Sequence, residues 1–124
     1  MIKKMAAALA FMTTSAAAHE LTPTYPVLRQ SYVDNVLTTR MHMFNRRSDV
    51  EYYKIGVFDE EWEPIPFATS ESTVHVPYLG HKDIDIYIRK IDADRTEYIC
   101  TVSRLKSDDA QSSGLRSKIC SRIK

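Results

Sequence analysis

"DIDIYIRKI", residues 83–91, is the stretch that sets the fold class. Ile84, Ile86 and Ile88 alternate with Asp83, Asp85, Tyr87 and Arg89, so one face is apolar and the other polar. A period of two is the mark of a half-buried strand; a helix would need apolar residues three and four apart. β-Branched isoleucine suits a pleated surface and reinforces the assignment. One dry face and one wet face point to an antiparallel sheet, because strands covered on both sides read as continuous apolar runs.

The same period extends in both directions. "NVLTTRMHMFN" (35–45) puts Leu37, Thr39, Met41 and Met43 on one face and Thr38, Arg40, His42 and Phe44 on the other. "NRRSD" (45–49) is a polar turn, and "VEYYKIGVFD" (50–59) resumes with Tyr53, Ile55 and Val57 opposite Tyr52, Lys54 and Phe58. "DEEWEPIPFATSEST" (59–73) is a polar connection interrupted by Trp62, Ile65 and Phe67, and "VHVPY" (74–78) is a short strand ended by Pro77. "LTPTYPVLRQ" (21–30) reads as an edge strand or extended lead-in, since Pro23 and Pro26 cannot donate to a central ladder. Downstream lie a "DADRTE" loop, the strand "YICTVSRL" (98–105), the polar loop "KSDDAQSSG" (106–114) and the closing strand "LRSKICSRIK" (115–124). About seven short strands with little helix signal predict a single antiparallel β-sandwich. The Cys…Trp…Cys spacing of antibody domains is absent, because both cysteines come late.

The first 18 residues stand outside this pattern. Lys3 and Lys4, an apolar run from Met5 to Met12 and the small residues Ala16, Ala17 and Ala18 have the form of a cleavable secretory signal. A helix packed on the domain is the other reading, but nothing caps it. Cleavage after Ala18 leaves residues 19–124 as one domain. No later segment is apolar for long enough to span a bilayer as a helix. The chain has 17 basic and 16 acidic residues; without Lys3 and Lys4 the count is 15 and 16. Near-neutrality argues against a nucleic-acid binder, which carries a basic excess. In an exported chain, Cys100 and Cys120 are candidates for a disulfide.

At this point the segments carry a family resemblance. "MFNRRSDVEYYKIGVFDEE", "VHVPYLGHKDIDIYIRK", "DADRTEYICTVSRL" and "LRSKICSRIK" resemble, in order and spacing, the first domain of the periplasmic pilus chaperones of chaperone–usher systems, the PapD-like chaperones. The resemblance implies an immunoglobulin-like fold, a periplasmic location and a protein partner, a pilus subunit or other envelope protein, held by strand pairing. The family normally has two such domains, and the resemblance implies that this chain stops where the first one ends, with the second missing. A subset of the family joins the last two strands of the first domain by a disulfide, which implies a Cys100–Cys120 bridge. The family's basic pair for a subunit's terminal carboxylate falls on Tyr25 and Cys120, so both positions have changed; Arg29, Lys118 and Arg122 are the nearby substitutes. The alternating donor positions fall on Gln111, Ser113 and Leu115, two of them polar, while Ile119 and Ile123 continue the alternation. Tyr25, Arg29, Leu115, Lys118, Ile119 and Arg122 are therefore the candidate partner-binding residues. A structural or interaction module that keeps the fold without chaperone work is the alternative, and pairing of two copies through edge strands is a further possibility.

Other chemistry finds little support. His75 and His81 could meet across a turn beside Asp83, yet no pattern completes a metal site, and His19, His42, His75 and His81 are expected at the surface. The acids of "DEEWEP" and "DADRTE" read as solvated loops, the latter lacking the glycine and length of a calcium loop. No serine sits in a nucleophile elbow, and three glycines make no phosphate loop. No enzyme activity, cofactor or metal is expected. The basic residues Arg104, Lys106, Arg116, Lys118, Arg122 and Lys124 read as a solvated, aggregation-resistant edge.

Overall fold

The computed structural model describes residues 18–104 and 116–124. Most of the expected signal segment, the 106–114 loop and the donor positions Gln111, Ser113 and Leu115 lie outside the described residues.

The strands are β1 (Glu20–Thr22), β2 (Arg29–Gln30), β3 (Val36–Phe44), β4 (Tyr52–Phe58), β5 (Thr73–His75), β6 (His81–Arg89), β7 (Tyr98–Arg104) and β8 (Lys118–Arg122), with one helical turn, α1 (Lys90–Ala93), after β6. They form two antiparallel sheets, an all-β immunoglobulin-like sandwich. In the first sheet β6 pairs with β3 along its whole length, from Val36↔Arg89 to Phe44↔His81. β1 and β2 take separate stretches of β3, at 42–44 and 37–38. The second sheet runs β5-β4-β7-β8.

The core lies between the sheets and uses the faces that the alternation marks. Met41, Met43, Ile84, Ile86 and Ile88 meet Tyr53, Ile55, Val57 and Ile99, with Val50, Ile65, Val74 and Val76 closing the ends. Each fully buried aliphatic side chain contributes about 1.5–3 kcal/mol relative to exposure. Asn45 is buried at the turn after β3 and fixes it. Its amide donates to the carbonyls of Val50 (2.7 Å) and Val76 (2.8 Å), while its Oδ1 accepts from the Arg47 N–H (2.9 Å) and the Tyr53 hydroxyl (2.5 Å).

Two local readings need correction. The lead-in at 21–30 is not one strand. After β1, Thr24 and Pro26 accept hydrogen bonds from the N–H groups of Arg122 and Lys124, both 3.0 Å. The numbers rise together, so this stretch runs parallel to the end of β8 before β2 returns to β3. The prolines suit it, because in both of these bonds the lead-in acts as acceptor, through Thr24 and Pro26. Likewise β6 ends at Arg89, and residues 90–93 make a helical turn where a strand end and loop are expected. The buried Asp92 accepts from Arg89 Nε at 2.7 Å and Arg95 Nη2 at 2.7 Å, which gathers the turn around one carboxylate. The two guanidiniums, Arg95 first, hold that carboxyl below the usual carboxylate range.

Candidate functional site: the open edge of the last strand

β8 lies at the end of its sheet. Its register with β7 is Thr101↔Ile119, Cys100↔Cys120 and Ile99↔Ser121. The Ser103 N–H donates to the Ser117 carbonyl at 2.9 Å and the Ile123 N–H to the Glu97 carbonyl at 2.8 Å, so odd-numbered residues of β8 turn their backbone groups to β7. Antiparallel pairs alternate, so the even-numbered residues Lys118, Cys120 and Arg122 turn theirs outward. Arg122 and Lys124 meet the 24–26 stretch there. Among the described residues, no backbone hydrogen bond reaches the outward N–H and C=O groups of Lys118 and Cys120, although β1 lies close to β8. The edge is closed at one end and open at the other.

Cys100 and Cys120 face each other across this pairing with Cα atoms 4.0 Å apart and are joined by a disulfide. Theirs is the non-hydrogen-bonded type of pair, in which opposite Cα atoms come closest. The bridge ties the open strand to the sheet interior, since Cys100 is fully buried.

The side chains of β8 divide by face. Ile119, with Ile123 beyond the strand, packs against the core. Lys118 and Arg122 point to the outer face. There Trp62 stacks flat on Tyr98, with ring centres 4.1 Å apart and planes 2° from parallel, and Phe58 lies 6.0 Å from Trp62. The Lys118 ammonium sits over Trp62 and Phe58. Gly56, opposite Cys100 on β4, makes room for this cover: a Cβ there would lie 2.8 Å from the Phe58 ring. Arg122 Nε donates to Glu97 at 2.6 Å. Tyr25, Arg29 and the prolines at 23 and 26 line an open cleft of about 450 Å³ that reaches Thr38, Arg40 and Asp85. Arg40 is tied to Asp85 through two bonds, at 2.8 and 3.2 Å. Arg29, by contrast, has no ion pair or hydrogen bond from its guanidinium among the described residues. Of the three substitute cations, Arg29 alone is uncommitted.

His42, His75 and His81 lie at the surface as expected, and His19 does not. His19 is buried, not exposed: Nε2 meets the Thr101 hydroxyl at 2.7 Å, Nδ1 the Ser117 hydroxyl at 3.1 Å, and its ring lies 4.4 Å from that of Tyr53. Burial lowers its pKa to about 4. His75 sits on β5 beside Glu51 and Tyr52. It is His42 rather than His75 that meets His81, because β3–β6 pairing sets Phe44 opposite His81 and His42 opposite Asp83. The acidic loops at 59–61 and 94–97 come together around a cleft of about 300 Å³ that includes Arg95. Trp62, Glu97, Thr24 and Pro26 were not legible as parts of this region. Their roles depend on cross-strand neighbours distant in sequence; only the prolines of "PTYP" hinted at an irregular edge.

Comparison with solved structures agrees with this architecture. The chain superimposes on the E. coli chaperone DraB with a TM-score of 0.62 at 14% identity, covering 86% of this chain and 53% of that one. It also superimposes on PapD-like domain 7 of human CEP192, with a TM-score of 0.52 at 8% identity, over 86% of this chain and 82% of that domain. The chain therefore spans about half the length of the chaperone structure and most of the single PapD-like domain. No family profile and no curated protein sequence matches it. The fold is that of a PapD-like domain.

Proposed function

We propose that this chain is an exported, chaperone-like protein of the periplasm that binds a pilus subunit or another envelope protein by receiving an extended segment beside β8. The observation that carries this is the unpaired outward backbone of Lys118 and Cys120 on an edge strand. A row of free donors and acceptors is a template for strand addition, in which main-chain bonds supply affinity and side-chain pockets supply selectivity. The disulfide holds the template in register with β7. Arg29 is the anchor: its free guanidinium, beside Tyr25, can take a carboxylate in a charge-assisted bond. The Cys100–Cys120 bridge accords with an oxidising compartment. Export by cleavage after Ala18 is part of the proposal, and the intact mass of the secreted protein tests it: a retained Met1 contradicts it.

The second reading is a structural or interaction module without chaperone turnover. The commitment of Lys118 to Trp62 and of Arg122 to Glu97 favours it, as does the likeness to a single PapD-like domain. Affinity capture from the periplasm of the native host, with partners identified by mass spectrometry, separates the two. A stoichiometric subunit that is degraded when this protein is deleted supports chaperone work. Recovery within a lasting assembly, or as a homodimer, supports the module.

A further inference from the structure

Away from β8, the outer face of the first sheet carries a cluster that strand addition does not use. His42 Nε2 and His81 Nδ1 face each other at 2.9 Å, and the other nitrogen of His42, Nδ1, meets Asp83 Oδ1 at 2.6 Å. An ionised carboxylate only accepts, so a neutral His42 ring carries its proton on Nδ1 and presents the Nε2 lone pair towards His81. Phe44 stacks on His81 with ring centres 4.5 Å apart and planes 22° from parallel, which fixes the second ring. All four residues sit on β3 and β6, two long, fully paired strands.

We propose that His42 Nε2 and His81 Nδ1 form a two-histidine chelate for a borderline divalent cation (Cu²⁺, Ni²⁺ or Zn²⁺), with Asp83 as the carboxylate that orients His42. Imidazole suits these ions, and a metal-binding histidine characteristically gives its other N–H to a carboxylate, as His42 does. At metal–nitrogen bonds of about 2.0–2.1 Å, nitrogens at right angles around the ion stand about 2.9 Å apart, and tetrahedral ones about 3.3–3.4 Å. The first matches the separation already present, so a square geometry needs little change in distance, with each ring turning so that its lone pair leaves the N···N line and points at the ion. On binding, His81 moves its ring proton from Nδ1 to Nε2, and the freed lone pair goes to the metal. No net proton is lost when both rings start neutral. Among the described residues no three histidine, cysteine or acidic side chains converge as ligands, so water fills the other positions. The nearby Arg40 is offset by Asp85 and does not oppose a cation. Sequence alone pairs His81 with His75; the strand register substitutes His42.

Isothermal titration of the purified protein with each of Cu²⁺, Ni²⁺ and Zn²⁺ alone tests this. One site is expected to be lost in His42→Ala and in His81→Ala, weakened about 10–100-fold in Asp83→Asn, and unchanged in the His75→Ala control. Thermal melts of the same variants check that they remain folded. No binding of any of the three ions overturns the proposal. So does binding of undiminished stoichiometry in folded His42→Ala or His81→Ala protein.

Discussion

The Lys118 Nζ stands 4.5 Å from the centre of the Trp62 ring and 5.2 Å from that of Phe58. A lysine so placed is held by two ring faces, an arrangement that contributes about 0.5–1 kcal/mol at an exposed site. It is therefore a poor candidate for the partner's anchor, although it lies on the open strand. Trp62 is the single tryptophan, so intrinsic fluorescence reports this patch alone. Lys118→Gln is expected to shift its emission to the red and to leave partner capture nearly unchanged. Arg29→Ala is expected to leave the emission unchanged and to weaken capture about 10–100-fold, the value of a lost charge-assisted bond. The opposite pattern would assign the anchor to Lys118.

Asn45 is the polar centre of the sandwich. Asn45→Ala leaves the Val50 and Val76 carbonyls, the Arg47 N–H and the Tyr53 hydroxyl without their partner. Unsatisfied buried groups cost about 1–3 kcal/mol each, moderated by relaxation, so a loss of about 3–5 kcal/mol is expected in urea unfolding. Tyr53→Phe removes one of the four bonds and is expected to cost about 1–2 kcal/mol. Equal costs for the two variants would show that the Asn45 amide bonds contribute nothing.

His19 makes stability fall in mild acid. Its pKa is about 4 in the folded protein against 6.5 when unfolded. The unfolded chain thus binds the extra proton between these values. The contribution is fully present above pH 6.5, declines as pH falls below it and is gone near pH 4. Its size is roughly 3 kcal/mol. His19→Gln can keep a bond to Thr101 but cannot titrate there, so its unfolding free energy should be flatter over this window. A wild-type stability that does not change between pH 6.5 and 4 contradicts the buried neutral imidazole.

The disulfide closes a loop with a sequence separation of 20, which corresponds to roughly 3 kcal/mol of loop-closure entropy. Cys100→Ala/Cys120→Ala is expected to unfold at correspondingly lower urea concentration. It should also free β8 to fray, seen as faster amide exchange at Ile119 and Ser121 than at β3. Unchanged exchange along β8 would show that β7 pairing alone holds the strand.

The alternation in β3, β4 and β6 was legible because its signal is local: Met41, Ile55 and Ile86 are buried where the period of two puts them. The order of quoted segments carried the sandwich and the Cys100–Cys120 pairing. What was not legible is what the tertiary register decides. The turn at 90–93 owes its shape to Asp92 between two arginines, and the lead-in at 24–26 owes its course to the N–H groups of Arg122 and Lys124. The burial of His19 depends on hydroxyls at positions 101 and 117, far along the chain. Lys118 and Arg122 looked like free cations in sequence, and only packing shows their partners.

Amide hydrogen exchange along β8, with and without the captured partner, tests strand addition most directly. In the free monomer the Lys118 and Cys120 amides should exchange fast while Ile119 and Ser121 are protected by β7. In the complex Lys118 and Cys120 should become protected as well. Protection of Lys118 and Cys120 already in the free monomer, or their continued fast exchange in the complex, would contradict partner binding at this edge.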